Sequence, residues 1–319
     1  LPEQAPLISA PGAPAPGGGE AEWFSGAGGA RLRAAIFPTS GAALGSVVVS
    51  PGRTEPIEKY FETVRDLNGR GFAVLVHDWR GQGLSQRLLR DRLAGHAAGY
   101  KDFLADYQSL LDAFEARLPQ PWIALGHSMG GCLTLLALAT GEGRFSGAML
   151  SSPMLGIATG ATPARAARAL ARLQAVLGRG GTAAQSSASA APTPFEDNVL
   201  THDQGRYERN LALIVACPDL ALGGPTWGWV DFAFSAISVL QRGPGTASVR
   251  IPVTIAFAGD EKLVDNNGLR MVASRLPAAR LVEIPGAFHE ILQETDEVRA
   301  IFWKEFEALA ARSGVTESA

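Results

Sequence analysis

The sequence predicts an α/β fold: a mainly parallel central sheet flanked by helices, with an inserted helical cap. Three observations carry this. Strand-length apolar runs alternate with amphipathic stretches on both sides of one long interruption. That interruption, residues 155–248, differs in composition from its surroundings and is too long for an ordinary loop. Within IALGHSMGGCL (123–133), a serine framed by glycines stands where an apolar run stops and a second begins.

The elements follow in order. Residues 1–20 are Pro/Gly-rich without periodicity and read as a disordered or extended tail. From Glu22, short strands separated by SGAGGA and PTSGAALG suggest an antiparallel hairpin. SVVVS (46–50) is a compact run built on three β-branched valines, as expected of a strand buried on both faces. Residues 54–68 read as a helix. Thr54 could cap it, Pro56 fits its first turn, and Ile57, Tyr60, Phe61, Val64 and Leu67 form one stripe. FAVLVHDW (72–79) is a further strand, followed by a helix over 98–118, a strand over 121–125, a helix from Met129 and a strand over 146–152.

The cap opens with the Ala/Arg-rich ATPARAARALARLQAVLG, passes through RGGTAAQSSASAAPTP and ends in GGPTWGWVDFAFSAISVL. Beyond it come a strand (253–258), a helix near 266–276, a strand (280–284) and a final helix from about Asp296. The core is thus expected over 21–154 and 249–319, with right-handed crossovers.

Composition narrows the function classes. The net charge of −3 over 319 residues supplies no basic field for nucleic acid. Cys132 and Cys217 make neither a disulfide framework nor a zinc motif, so no metal or cofactor is expected and a reducing compartment fits. No apolar run spans a bilayer, and no signal peptide is visible. The expectation is a cytoplasmic protein, membrane-associated at most. The first residue is not Met, so removal of an upstream segment stays open. Oligomeric state is not legible.

The glycine-framed serine carries the chemistry. In G-x-S-x-G, Gly126 and Gly130 allow a sharp strand-to-helix turn that exposes the Ser128 Oγ at the sheet edge. The Met129 N–H, at the following helix N-terminus, points where an oxyanion would form. A serine hydroxyl needs a base, and a third group to fix that base's tautomer. Of five histidines, His289 follows the last core strand in EIPGAFHEIL; His77, His96, His127 and His202 read as structural. The orienting acid belongs in AGDEKLVDNNG, where Asp260, Glu261 and Asp265 compete, Asp265 reading more simply as a helix cap. The chain order Ser, acid, His is that of α/β-hydrolases.

The chain resembles the lysophospholipase/monoacylglycerol-lipase branch of the α/β-hydrolases from about Trp23 to about Ala310. The residues behind this are GRTEPIEKYFETVRDLNGRGFAVLVHDWRGQGLS, GHSMGG, NVLTHDQGRYERNLAL, LGGPTWGWV and AGDEKLVDNNG. The resemblance implies an acid three residues before Val264 and nine after Pro252, which is Glu261 where an aspartate is commoner; Asp260 is the alternative. It also implies a second oxyanion donor in the turn SPGRTE, where Pro51 replaces the usual His and Arg53 takes the donor position. Asp78 and Arg80, in HDWRGQGLS, read as a structural network. Tyr100, Phe103 and Tyr107, like Cys132, read as core.

The expected function is a serine carboxylic-ester hydrolase. Its Ser128, Glu261 and His289 would work through an acyl-enzyme, with Arg53 and Met129 N–H groups as the oxyanion hole. The resemblance implies lysophospholipids or monoacylglycerols as substrates, with Trp227, Trp229 and Phe232 of the cap against the acyl chain. The alternatives are an acyltransferase, an esterase or lactonase for another small ester, or a non-catalytic binder of hydrophobic ligands. Shallow contact with a membrane surface or micelle is compatible with the cap, although the sequence displays no basic face to anchor it.

Overall fold

A computed structural model describes residues 3–184 and 193–315. Eight strands form one sheet: β1 (Glu20–Ser25), β2 (Arg31–Phe37), β3 (Gly45–Ser50), β4 (Phe72–His77), β5 (Trp122–His127), β6 (Phe145–Ser151), β7 (Val253–Ala258) and β8 (Ala279–Ile284). Their order is β1-β2-β4-β3-β5-β6-β7-β8. The β1/β2 and β2/β4 pairs are antiparallel and all others parallel.

Because successive side chains of a strand face opposite ways, each central strand feeds two cores. Val48, Leu75, Ala124 and Leu150 pack with helices α2 (Lys101–Phe114) and α3 (Met129–Ala139). Val47, Val49, Val74, Val76 and Leu125 pack with α1 (Phe61–Gly69) and α8 (Asp296–Arg312). The α3 helix is buried from Met129 to Leu138, which explains why its sequence is apolar all round.

Among the described residues three α-helices stand between β6 and β7, α4 (Ala164–Val176), α5 (Gln204–Ala216) and α6 (Trp227–Arg242); α6 packs on α3 and α4. The middle of RGGTAAQSSASAAPTP, residues 185–192, lies outside the described residues. The α5 helix is tied down by charge: Glu62 of α1 accepts from Arg206 (2.7 Å) and also from Arg209 and Arg299. The α4 helix corrects one expectation. Arg165, Arg168 and Arg172 stand exposed beside exposed Leu170, Leu173 and Val176, with no acidic residue in the helix, so a basic face exists.

Three boundaries also move. The 54–68 segment is a 3-10 turn over Ile57–Tyr60 before α1 begins. Thr54 does not cap it: its φ is +68°, and the Ile57 N–H is instead accepted by Asp78 Oδ1 at 2.9 Å. The helix expected over 98–118 is Lys101–Phe114, because Gly99 sits at φ +137° and breaks the chain direction before it. The tail is extended from Glu3 and docked: the Ala5 N–H donates to Ala21 O and the Trp23 N–H to Glu3 O, both 2.8 Å. Its backbone satisfies the otherwise open edge of β1, and Pro6 O accepts from the buried Arg33 at 2.9 Å.

The later elements are α7 (Asn266–Ala273), capped by Asp265 accepting the Asn267 N–H at 2.9 Å, and α8 from Asp296.

Candidate active site

Ser128 ends β5 and begins α3 at φ 51°, ψ −117°, a conformation that costs a non-glycine residue about 1–3 kcal/mol and persists only when its surroundings impose it. The surroundings do. A Cβ on Gly130 would lie 2.1 Å from Ser50 O, and one on Gly126 2.7 Å from Gly131 Cα. Only glycine lets α3 start so close to β3 and β5. The Ser128 N–H donates to Ser151 O (3.0 Å), and Ser128 O accepts from Cys132 (3.0 Å) and Met154 (2.9 Å). The turn is thereby fixed from both sides.

Three side chains meet in series. Ser128 Oγ lies 2.9 Å from His289 Nε2, and His289 Nδ1 lies 2.8 Å from Glu261 Oε2. Glu261's other oxygen accepts N–H groups from Leu263 (2.8 Å), Lys262 (3.0 Å) and Val264 (3.3 Å). Burial pushes this carboxyl up, but the hydrogen bond and charge of His289 and the backbone donors outweigh it and hold the group below the usual carboxylate range. Asp260, the alternative acid, is exposed, and its backbone N–H bonds Ala287 O at 3.0 Å. Its carboxyl belongs to solvent.

The other histidines are occupied elsewhere. His127 is pushed down to about 4 by burial, partly offset by Glu55, and is neutral beside His289, ring centres 4.9 Å apart. His77, pushed down to about 3 by burial, packs edge-on against Trp79. His96 Nδ1 meets Thr226 Oγ1 at 2.9 Å, and His202 Nδ1 meets Glu294 at 2.8 Å.

Met129 occupies the first position of α3, and Arg53 follows Gly52 in the turn after β3; among the described residues neither backbone N–H has a protein acceptor. The Gly52–Arg53 turn is clamped on both sides. Glu55 accepts the Gly52 N–H, and Gln82 Nε2 donates to Gly52 O at 2.9 Å. Trp79 Nε1 donates to Pro51 O at 2.8 Å. Pro51 thus fills the place of a histidine without losing the turn.

Glu55 also accepts from Tyr60 Oη (2.6 Å) and pairs with Lys59 (2.9 Å), which reaches Glu290 at 2.6 Å, next to His289. Burial raises the Glu55 carboxyl, yet Lys59, His127 and Tyr60 bring it down to about 2. The sequence reading passed over Glu55, Lys59 and Glu290; the E of SPGRTE was the one signal available. Asp78 and Arg80 are structural as expected: Asp78 pairs with Arg33 (2.7 Å) and Arg80 with Asp106 (2.6 Å).

The cap aromatics separate. Trp229 lines a narrow cavity against Met129, shared with Gln82, His96 and Leu222 and too tight to admit a water molecule. Phe232 is a correction: it is buried and stacks on Phe103 at 4.9 Å, so its ring belongs to the core and offers an acyl chain no surface. Trp227 is half-buried outside that cavity's lining. A larger space of about 480 Å³, between α4, α6 and Tyr100, includes none of Ser128, Glu261 and His289.

Comparison with known proteins gives one picture. The model of the serine aminopeptidase S33 family matches residues 41–296. Lysophospholipase L2 of Escherichia coli K12 is 36% identical over 80% of this chain and 77% of its own. A monoacylglycerol lipase of Mycolicibacterium smegmatis is 25% identical over 86% of this chain and 91% of its own. Among solved structures, a soluble variant of monoglyceride lipase from Saccharomyces cerevisiae superimposes with TM-score 0.74 at 19% identity, covering 91% of this chain and 94% of that one.

Proposed function

The chain belongs to the serine aminopeptidase S33 family, with the α/β-hydrolase fold, and from that membership and the geometry around Ser128 we propose a serine carboxylic-ester hydrolase acting on lipids with a single acyl chain. The observation that carries the reading is the hydrogen-bonded series Ser128 Oγ, His289, Glu261 at 2.9 and 2.8 Å, with the serine backbone at φ 51°.

In the proposed mechanism Ser128 Oγ attacks the ester carbonyl carbon as its proton passes to His289 Nε2. Glu261, accepting from Nδ1, fixes the tautomer that leaves Nε2 free as base and stabilises the imidazolium that forms. The carbonyl π electrons move to oxygen, and the Met129 and Arg53 N–H groups receive that oxyanion, each such donor contributing about 2.7–4 kcal/mol. Collapse expels the alcohol, which takes the proton from His289, leaving an ester on Ser128. Water then attacks by the same route, releasing the fatty acid and restoring the serine.

Single-chain lipids are supported by the names of two relatives, lysophospholipase L2 and monoacylglycerol lipase. The α4 helix, with exposed arginines and leucines and no acid, is suited to lie on an anionic lipid surface. Among the described residues no helix is long and apolar enough to cross a membrane.

The test is hydrolysis of matched lysophospholipids, monoacylglycerols and p-nitrophenyl esters by wild type and Ser128→Ala, with fluorophosphonate labelling of both. Wild type should label and hydrolyse; Ser128→Ala should do neither. Near-wild-type hydrolysis by Ser128→Ala would end the proposal.

A further inference from the structure

The side chain of Arg53 does something its backbone role does not require. Its guanidinium is enclosed beneath the segment that leads into α6: Nη2 donates to Gly223 O, and the group lies over the Trp229 ring, 5.3 Å from its centre. A Cβ on Gly95 would lie 2.6 Å from Nη2, so the loop before α2 closes the other side. Among the described residues no carboxylate lies within ion-pair distance of it, unlike the buried Arg33, which has Glu58 and Asp78.

Among the described residues, two donors here are buried without an acceptor: Arg53 Nε and, on the ring beneath the guanidinium, Trp229 Nε1. Burying an unmatched cation and leaving buried donors unpaired are both unfavourable. The absence of a counter-charge also shows in acidity: burial alone brings Arg53 down to about 10, which still leaves it cationic at neutral pH. One acceptor-rich anion reaching these groups in place of Gly223 O would relieve all three defects.

We infer that Arg53 and Trp229 form a site for the phosphodiester of a glycerophospholipid headgroup, selecting lysophospholipids over neutral monoacylglycerols. The inference rests on the ester-hydrolase reading above. A guanidinium presents Nε and Nη as a planar fork that fits two oxygens of a phosphate, and the indole N–H adds a third donor.

Reach agrees. The Arg53 backbone nitrogen and the guanidinium carbon are separated by as many covalent bonds as the carbonyl carbon and phosphorus of a 1-acyl lysophospholipid, about 6–8 Å when extended. A carbonyl oxygen held at the Arg53 N–H therefore puts the phosphate within range of the same residue's side chain. A monoacylglycerol ends in a hydroxyl there and gains nothing from the charge. Binding of phosphate would also replace Gly223 O as the partner of Nη2, linking headgroup arrival to the segment that leads into α6.

The experiment measures kcat/KM for a lysophosphatidylcholine and a monoacylglycerol of the same medium chain length, both below micelle formation, using the full chain. Wild type, Arg53→Met, Arg53→Lys and Trp229→Phe are compared, each checked by fluorophosphonate labelling and thermal unfolding. In Arg53→Met the ratio of phospholipid to glyceride kcat/KM should fall about tenfold or more, mainly through KM, as loss of a charge-assisted contact implies. Arg53→Lys should recover part of it, and Trp229→Phe should lower the ratio several-fold.

Glycerophosphocholine should compete with a p-nitrophenyl ester in wild type and lose that effect in Arg53→Met. An unchanged ratio, with both substrates falling together, would mean that the guanidinium only holds Gly223, and would overturn the inference. So would competition from inorganic phosphate with none from glycerophosphocholine. If wild type neither labels nor hydrolyses any ester, the ester-hydrolase reading fails instead, so the two failures are distinguishable.

Discussion

Glu261→Gln separates geometry from chemistry in the proposed site. The carboxylate divides its work: Oε1 accepts N–H groups from Leu263 at 2.8 Å and Lys262 at 3.0 Å, and Oε2 accepts from His289 Nδ1 at 2.8 Å. An amide of the same shape keeps its oxygen on the backbone donors, because its NH2 cannot accept from them. That turns the NH2 toward Nδ1, which must then become an acceptor. The imidazole proton moves to Nε2, 2.9 Å from Ser128 Oγ, where it faces the hydroxyl as a donor and cannot take its proton. The same acid-to-amide change in a Ser-His-Asp triad lowers kcat about 10⁴-fold, so about 10³–10⁴ is expected here, equivalent to about 4–5.5 kcal/mol of barrier. The assay is initial-rate hydrolysis of p-nitrophenyl butyrate, with KM and thermal unfolding measured on the same preparations. KM and Tm should change little. Asp260→Asn is the control, expected within about twofold of wild type because that carboxyl is exposed and lies outside the series. Glu261→Gln retaining more than a tenth of wild-type kcat, or Asp260→Asn falling as far as Glu261→Gln, would refute the reasoning.

Gly130→Ala should abolish most activity and lower Tm by several degrees, since its Cβ would sit 2.1 Å from Ser50 O and 2.4 Å from Pro51 O; forced overpacking of this kind costs about 1–3 kcal/mol, and unfolding curves beside ester assays check it. The Glu62 carboxyl, which burial would raise, is brought down to about 2 by hydrogen bonds and charges from Arg206, Arg299 and Arg209. Its contribution to stability is therefore complete above the ordinary value of 4.5 and is lost as pH falls from there toward 2; Glu62→Gln should flatten that part of a stability-against-pH series measured by urea unfolding. Reversing both Arg165 and Arg168 to Glu should reduce binding to anionic vesicles about tenfold or more, at about 1 kcal/mol per surface cation, while hydrolysis of a soluble p-nitrophenyl ester stays unchanged; co-sedimentation and ester assays read the two effects.

Most of the sheet was legible because strands buried on both faces leave near-continuous apolar runs, as SVVVS and VTIAFA do. The series at Ser128 was legible for a different reason: a strand-to-helix elbow demands glycines at fixed offsets, and so announces itself. What escaped the sequence was whatever depends on which distant charges meet. Thr54 looked like a cap, yet Asp78, more than twenty residues on, supplies the acceptor to Ile57 and leaves Thr54 at φ +68°. Phe232 looked like acyl-chain lining, but an aromatic in an amphipathic helix does not reveal that Phe103 will stack on it. The basic face of α4 was hidden in a different way. Its arginines are spaced among alanines, and only the helix's exposed position keeps Arg165, Arg168 and the leucines together at the surface.

The buried charges explain how a site built from loops holds its shape. The groups in question come from the ends of β3, β5, β7 and β8, and no continuous element joins them. The 3-10 turn Ile57–Tyr60, with Glu55 just before it, reaches most of them. Glu58 binds Arg33 at 2.7 Å, Arg33 binds Asp78, and Asp78 Oδ1 accepts the Ile57 N–H, which ties the turn to the loop after β4. Lys59 joins Glu55, which holds the Gly52 N–H, to Glu290, the residue after His289. Buried pairs of this kind recover little net stability once desolvation is counted, so a stability argument does not account for two such clusters side by side. Registry does. Each ion pair fixes one loop against another, and removing one partner leaves the other charge buried without compensation. The arrangement therefore penalises any displacement of Gly52 relative to His289, the displacement that would separate the Arg53 N–H from the imidazole it is proposed to work beside.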